Sequence, residues 1–121
     1  MAEKRIYFGY RLADGCHVWR KQGNNWSRLE YRLDIHNHSP AGFEWGYGGS
    51  GPAQLSLALI ADVTGNDFLA EQFHQKLKAV WTSKQKGQTW ELPEDKLLGI
   101  LSEWIVNLGA VLPAHLEEEE S

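Results

Sequence analysis

The chain has 121 residues, a formal net charge of −4 and 42% hydrophobic residues. This length is typical of one domain with its own core. No apolar run approaches the roughly 20 residues that cross a bilayer, and the first residues lack the layout of a signal peptide. Cys16 is the single cysteine and cannot form an internal disulfide. We therefore expect a cytoplasmic protein without a membrane partner.

The negative charge is concentrated near the end of the chain. Glu117–Glu120 account for the whole net charge of −4, so the remainder is neutral. Proteins that bind nucleic-acid backbones usually carry a concentrated basic face. The basic residues around Arg28 are more typical of a solvated sheet face, and we expect no nucleic-acid partner. We predict a single domain over residues 1–113, followed by a disordered acidic tail at 114–121.

Aromatic and branched residues in the first half predict strands. Residues 6–11 and 17–21 are typical of two strands joined by a tight turn. Residues 27–36 alternate between apolar and charged side chains, which predicts a half-buried third strand. Residues 43–47 resume the alternation briefly, so three or four consecutive strands form an antiparallel meander. A later segment, 90–92, either adds a short edge strand or lies against the core.

Helical patterns fill the second half. Ser50 as N-cap, Pro52 in the first turn and Gly65 at the end predict a central helix, and its few polar residues indicate burial on most sides. Residues 67–82 predict a surface helix, and a third helix begins near residue 93 and ends at Gly109. Strands followed by helices indicate an α+β fold. We expect an antiparallel sheet of three to four N-terminal strands, packed on one face by the buried central helix and two further C-terminal helices.

The glycine-rich turn before the central helix is the stretch with ligand chemistry. It contains the letters G-x-G-x-x-G, but not the second parallel strand and acidic residue of a dinucleotide-binding unit. Exposed N–H groups at a helix start suit an anion, whereas the glycines are equally explained by a tight turn beside bulky aromatics. The candidate ligand-binding residues are Glu44, Gly46, Tyr47, Gly48, Gly49 and Ser50, with His36 and His38 as polar neighbours.

Other candidate chemistry is weaker. In an extended chain His36 and His38 project to the same side, where Asp34 could join them around a metal ion. Such a site needs further ligands that the sequence does not identify. We therefore expect loop histidines that hydrogen-bond to the backbone, and we predict no metal ligand, no cofactor and no catalytic residue. Glu44 is expected to pair with an arginine rather than to act as a base.

Aromatic residues are unusually dense in the sheet half. They suit either a packed core or a stacking platform for bases or a sugar, and we favour the core because large aromatics dominate burial in small domains. The residues concerned are Tyr7, Tyr10, Trp19, Trp26, Tyr31, Trp45 and Tyr47.

A long central segment carries a family resemblance. Residues 37–62 read N-H-S-P-A-G-F-E-W-G-Y-G-G-S-G-P-A-Q-L-S-L-A-L-I-A-D, and the chain later contains W-E-L and a hydrophobic third helix with Trp104. This combination resembles the bacterial DUF6166 family of unknown function. The resemblance implies an origin in bacteria or in mobile elements such as phages and plasmids, and it implies no activity or catalytic residue.

These observations predict a small non-enzymatic protein of a bacterial accessory or mobile genetic element that binds a protein partner. The alternative is a domain, or an enzyme, that binds a small molecule, a nucleotide or another anion at the glycine-rich turn. A homo-oligomer is compatible with both interpretations.

Overall fold

The structure is a computed structural model that describes residues 3–120, with side chains described for residues 3–109. The described residues form an α+β fold with one antiparallel sheet, which confirms the predicted fold class. The strands are β1 (Arg5–Leu12), β2 (Gly15–Gln22), β3 (Asn25–Arg28) and β4 (Thr89–Pro93). The helices are α1 (Ser50–Thr64), α2 (Asp67–Val80) and α3 (Glu94–Glu120), and a 3₁₀ turn spans Thr82–Lys84.

The sheet order is β3-β2-β1-β4, so β1 lies between β2 and β4. The late segment at 90–92 is therefore a strand, and it pairs antiparallel with the first strand of the chain through Gly9 and Trp90. A Cβ atom on Gly9 would lie 2.2 Å from the ring of Trp90. The missing side chain at residue 9 thus makes room for the tryptophan, which is buried against the helices.

Alternation along the strands divides the sheet into an inner and an outer face. Tyr7 and Val18 point inward and are buried, as are Trp90 and Leu92 of β4. The residues of opposite parity face outward, and Trp26 among them is 54% exposed. The sheet therefore has one side in the core and one aromatic side toward solvent.

The central helix α1 is buried as predicted, because residues 51–61 are all buried. Gly65 ends it in the left-handed conformation with φ +64, and its N–H donates to the Ala61 carbonyl oxygen at 2.9 Å. The start differs from the prediction, since the N-cap is Gly49 with extended backbone rather than Ser50. α1 thus forms the centre around which the sheet and the other helices pack.

The segment from residue 29 to residue 49 is a loop, so the strands predicted at 27–36 beyond Arg28 and at 43–47 are wrong. Arg32 has φ +56, which an extended strand does not allow. Gly42, with φ +122, immediately precedes the second of these segments, and Gly46, with φ +90, lies within it. An alternation of apolar and polar residues indicates that one side of a segment is buried. An irregular loop that lies over the core also has one buried side, so the pattern does not distinguish it from a strand.

The third helix is longer than predicted. α3 continues to Glu120, so its predicted end at Gly109 is wrong. One glycine inside a helix costs only about 1 kcal/mol and does not by itself end it. We expected a disordered acidic tail at residues 114–121. The side chains of this range lie outside the described residues, so the tail stays a prediction. Among the described residues, no helix combines the length and the apolar character that crossing a bilayer requires.

Candidate functional site

The glycine-rich turn packs closely against its neighbours. A Cβ atom on Gly46 would lie 2.8 Å from the Gln85 carbonyl oxygen, and one on Gly51 would lie 2.6 Å from the Glu44 Cβ atom. The Gly46 N–H also donates to the Thr82 carbonyl oxygen at 3.1 Å. These contacts support the interpretation that the glycines permit close packing.

Ligand binding at this turn stays a prediction. Tyr47 and Gly48 are exposed, as is Ser50 at the start of α1, and Gly49 is half-buried beneath the Tyr47 ring. The Gly46 carbonyl oxygen accepts a hydrogen bond from the Lys86 ammonium group at 2.7 Å. That contact places one cation beside the turn.

Glu44 is paired with an arginine, as expected. Its Oε1 atom accepts from Arg11 Nη2 at 2.9 Å and from the Trp45 backbone N–H at 3.2 Å. Burial alone would raise the pKa of Glu44, but the hydrogen bonds, led by that from Arg11, lower it below its ordinary value. Nearby, burial raises the pKa of the Cys16 thiol, and Glu44 adds to that effect. The Glu44 carboxylate is thus ionised and bound to Arg11. The Cys16 thiol is a poor nucleophile at neutral pH.

His36 and His38 join a third histidine that the sequence analysis missed. Their two rings stack with centroids 3.8 Å apart, and His38 Nε2 lies 2.8 Å from Nε2 of His74 on α2. One ring nitrogen from each of the three histidines lies within 4.8 Å of the others. Asp34, the residue expected to accompany the pair, instead bonds to Arg32 at 3.1 Å. We call His36, His38 and His74 the histidine cluster.

The sequence contains a pattern that could have identified His74. Ala70, Phe73, His74 and Leu77 are the buried residues of α2, and they follow the i, i+3, i+4, i+7 spacing of a buried helix face. A histidine on that stripe is unusual, because it must satisfy its ring nitrogens inside the protein. Its hydrogen-bond partner His38 lies 36 residues away along the chain, however, and helical periodicity does not identify that partner.

Gln54 fixes the loop that carries His36 and His38. This side chain of α1 is fully buried, and its Oε1 accepts from the backbone N–H groups of His38 at 2.8 Å and Ser39 at 3.2 Å. Its Nε2 donates to the Tyr31 carbonyl oxygen at 2.6 Å. The position of the histidines therefore depends on a single amide inside the core.

The outer face of the sheet carries an aromatic recess. Tyr10, Trp19 and Trp26 line a cavity of about 320 Å³. The Trp19 Nε1–H group donates to the Tyr10 hydroxyl oxygen at 2.6 Å, which satisfies the indole donor and leaves the hydroxyl proton able to donate to another group. Trp26 lies beside Phe8, with ring centroids 5.3 Å apart. The prediction that these aromatic residues form the core is right for Tyr7 and Trp45, which are buried. It is wrong for Trp26, Tyr31 and Tyr47, which are exposed, while Tyr10 and Trp19 are half-buried on the outer face.

Two cationic side chains lie over aromatic rings of this recess. The Arg28 guanidinium lies 5.2 Å from the Trp19 ring centroid, and the Lys21 ammonium lies 5.4 Å from that of Trp26. We call this surface the outer aromatic face; it comprises Phe8, Tyr10, Trp19, Lys21, Trp26 and Arg28.

A polar cavity of about 350 Å³ lies between the sheet and α1. Arg5 and Arg20 line it, and both contact the Asp62 carboxylate, Arg20 at 2.6 Å and Arg5 at 3.5 Å. Contrary to the expectation of a solvated basic face, Arg20 points inward to the helix. This group is an ion-pair network that joins the sheet to α1.

The comparisons with known proteins give one positive finding. The family model of DUF6166, a family of unknown function, matches residues 7–105. The matched range includes the histidine cluster and the outer aromatic face. No curated protein and no solved structure matches the chain.

Proposed function

Because the chain belongs to the DUF6166 family, whose function is unknown, we propose its function from its own surface: it is a small non-enzymatic protein that binds a partner protein through the outer aromatic face. The proposed setting is the cytoplasm of a bacterium, where the protein serves an accessory or mobile genetic element.

The observation that carries the proposal is the exposure of aromatic residues around a recess. Trp26 is 54% exposed, and the recess it forms with Tyr10 and Trp19 has a volume of about 320 Å³. Protein interfaces are enriched in Tyr, Trp and Arg, and their strongest contacts fill pockets of this kind. Because the Trp19 indole N–H is already bound to Tyr10, the recess offers ring faces to an apolar side chain of the partner, and the Tyr10 hydroxyl can still donate one hydrogen bond to it.

The charges on this face define the partner further. Lys21 and Arg28 border the aromatic rings, so acidic residues around the apolar anchor of the partner would complement them. A nucleic acid fits less well, because phosphate binding needs a concentrated basic face and the outer aromatic face carries two cations among its rings. Glu91 also pairs with Phe8 in the sheet and adds negative charge beside this face. We therefore propose a partner protein with an acidic surface and an exposed apolar side chain.

A photocrosslinking experiment tests the proposal. The photoreactive amino acid p-benzoylphenylalanine replaces Trp26 in one variant and Val106, which is 68% exposed on α3, in a control. After irradiation in a bacterium that encodes the family, we expect the Trp26 variant to crosslink to a defined protein that the Val106 variant does not reach. Absence of such a protein contradicts the proposal.

Binding by purified components then identifies the surface. We expect Trp26→Ala and Arg28→Glu to bind the crosslinked partner at least tenfold more weakly in calorimetry. Phe68→Ala, at a 53% exposed position of α2, is the matched control and should bind like the wild type. Equal affinity in all variants overturns the proposal. So does binding of single-stranded oligonucleotides at physiological salt if Trp26→Ala abolishes it.

A further inference from the structure

We infer that His36, His38 and His74 bind one divalent transition-metal ion of the zinc type. The histidines come from two separate elements, the loop after β3 and helix α2, and one ring nitrogen of each lies within 4.8 Å of the others. Ligand nitrogens around tetrahedral zinc are about 3.4 Å apart, because each Zn–N bond measures about 2.0–2.1 Å. The three nitrogens are therefore close enough for rotation of the rings to place all of them around one ion.

The tautomer of His74 directs a lone pair into the cluster. Its Nδ1 atom lies 3.0 Å from the Ala70 carbonyl oxygen and 2.8 Å from the Glu71 carbonyl oxygen. Carbonyl oxygens only accept hydrogen bonds, so Nδ1 carries the proton, and the Nε2 lone pair of the neutral ring accepts the hydrogen bond from His38 Nε2. The ring is 3% exposed, and Nε2 points to His38. A backbone-anchored Nδ1–H group is a common way to orient a histidine ligand.

Glu71 orients the ring of His36 in a similar way. Its Oε1 atom lies 2.8 Å from His36 Nδ1. A carboxylate in this position accepts the Nδ1 proton and leaves Nε2 as the ligand atom, which is the carboxylate–histidine–metal arrangement of many zinc sites. Glu71 is thus a positioning residue of the proposed site.

Within the cluster, one hydrogen bond joins two of the three rings and the third ring is stacked. The Nε2 atoms of His38 and His74 share one proton at a separation of 2.8 Å, and the His36 ring stacks on His38 within 5° of parallel. Neutral imidazole is the form in which histidine binds metal.

The ligand set identifies the class of ion. Three imidazole nitrogens suit zinc, copper, nickel or cobalt, whereas magnesium and calcium prefer oxygen ligands. Three protein ligands leave a further coordination position for water. The His36 side chain is 45% exposed, so solvent reaches the cluster from its side. Bound metal would also clamp the loop after β3 to α2.

Metal titration of the full chain, first stripped with a chelator, tests the inference. We expect zinc chloride to bind at one equivalent in calorimetry, and cobalt chloride to give the visible absorption of a tetrahedral complex. Magnesium chloride should give neither signal. Folded protein that binds no zinc at millimolar concentration overturns the inference.

Variants locate the site. His36→Ala and His38→Ala should weaken zinc binding at least tenfold, and Glu71→Gln should weaken it about tenfold or more with one equivalent retained. His17→Ala, which removes a histidine that contacts Asp14, is the matched control and should bind like the wild type. Circular dichroism confirms that each variant is folded, and the partly exposed His36 gives the informative variant if His38→Ala unfolds. Unchanged zinc affinity in folded His36→Ala overturns the inference.

Discussion

The hydroxyl group of Tyr7 donates a hydrogen bond to the Asp62 carboxylate at 2.6 Å, and this bond ties the centre of the sheet to the last turn of α1. Arg20 donates to the other carboxylate oxygen, also at 2.6 Å. Burial raises the pKa of Tyr7, and the hydrogen bond to Asp62 raises it further, so the phenol remains a neutral donor. A helix buried on most sides can therefore keep an acidic residue, because the sheet supplies its partners.

Removal of the Tyr7 hydroxyl tests this connection. We expect Tyr7→Phe to lower the free energy of unfolding by about 1.5–3 kcal/mol, the range for hydrogen bonds to charged groups. Urea denaturation followed by circular dichroism measures the change. Tyr47→Phe, at a tyrosine that is 51% exposed, is the control and should change stability by less than about 0.5 kcal/mol. A Tyr7→Phe variant as stable as the wild type would show that the bond contributes nothing net.

Two glycine substitutions should act in opposite directions. In Gly9→Ala the new Cβ atom would meet the buried Trp90 ring at 2.2 Å, so we expect a loss of about 1–3 kcal/mol from forced repacking. Gly99→Ala adds a methyl group with no described neighbour within 4 Å on α3, and we expect a gain of about 0.5–1 kcal/mol from helix propensity. Melting temperatures of the two variants provide the measurement. Equal shifts in both would contradict the close packing of β1 on Trp90.

Replacement of the buried amide should release the loop that carries the histidines. Gln54→Leu leaves the backbone N–H groups of His38 and Ser39 without their acceptor. We expect a loss of about 2–4 kcal/mol, because each unpaired buried polar group costs about 1–3 kcal/mol. Hydrogen exchange at the two amides should also accelerate. Gln75→Leu, at an exposed position of α2, controls for the added apolar surface and should leave both measurements unchanged.

The Glu44–Arg11 pair should make stability depend on pH. The pKa of Glu44 is lowered in the folded protein, so its contribution is fully present above the ordinary value of 4.5 and is lost as pH falls through the folded value. The pair is part-exposed, so we expect the contribution to be below about 1 kcal/mol. Glu44→Gln should thus be less stable than the wild type at pH 7, and the difference should shrink as the pH falls below 4.5. Glu103→Gln, at an exposed position of α3, controls for the change in net charge.

Local patterns predicted the elements that depend on local signals. The β1–β2 hairpin, the burial of α1 and its end at Gly65 all follow from turn residues and apolar spacing, and the structure contains them. The predicted strands after Arg28 failed because alternation reports burial of one side and not pairing with another strand. Pairing depends on which edge of the sheet is free, and the edge beside β1 is taken by β4 from much later in the chain.

The sequence by itself determined an α+β domain around a buried helix, because hydrophobic periodicity and turn chemistry act within a few residues of the chain. Only the tertiary structure decided that His74 of α2 meets His36 and His38, and that Trp19 and Trp26 face solvent while Trp45 is buried. These outcomes depend on how whole elements pack against one another. A residue type and its neighbours in sequence carry no record of the side chains that packing brings from 36 residues away.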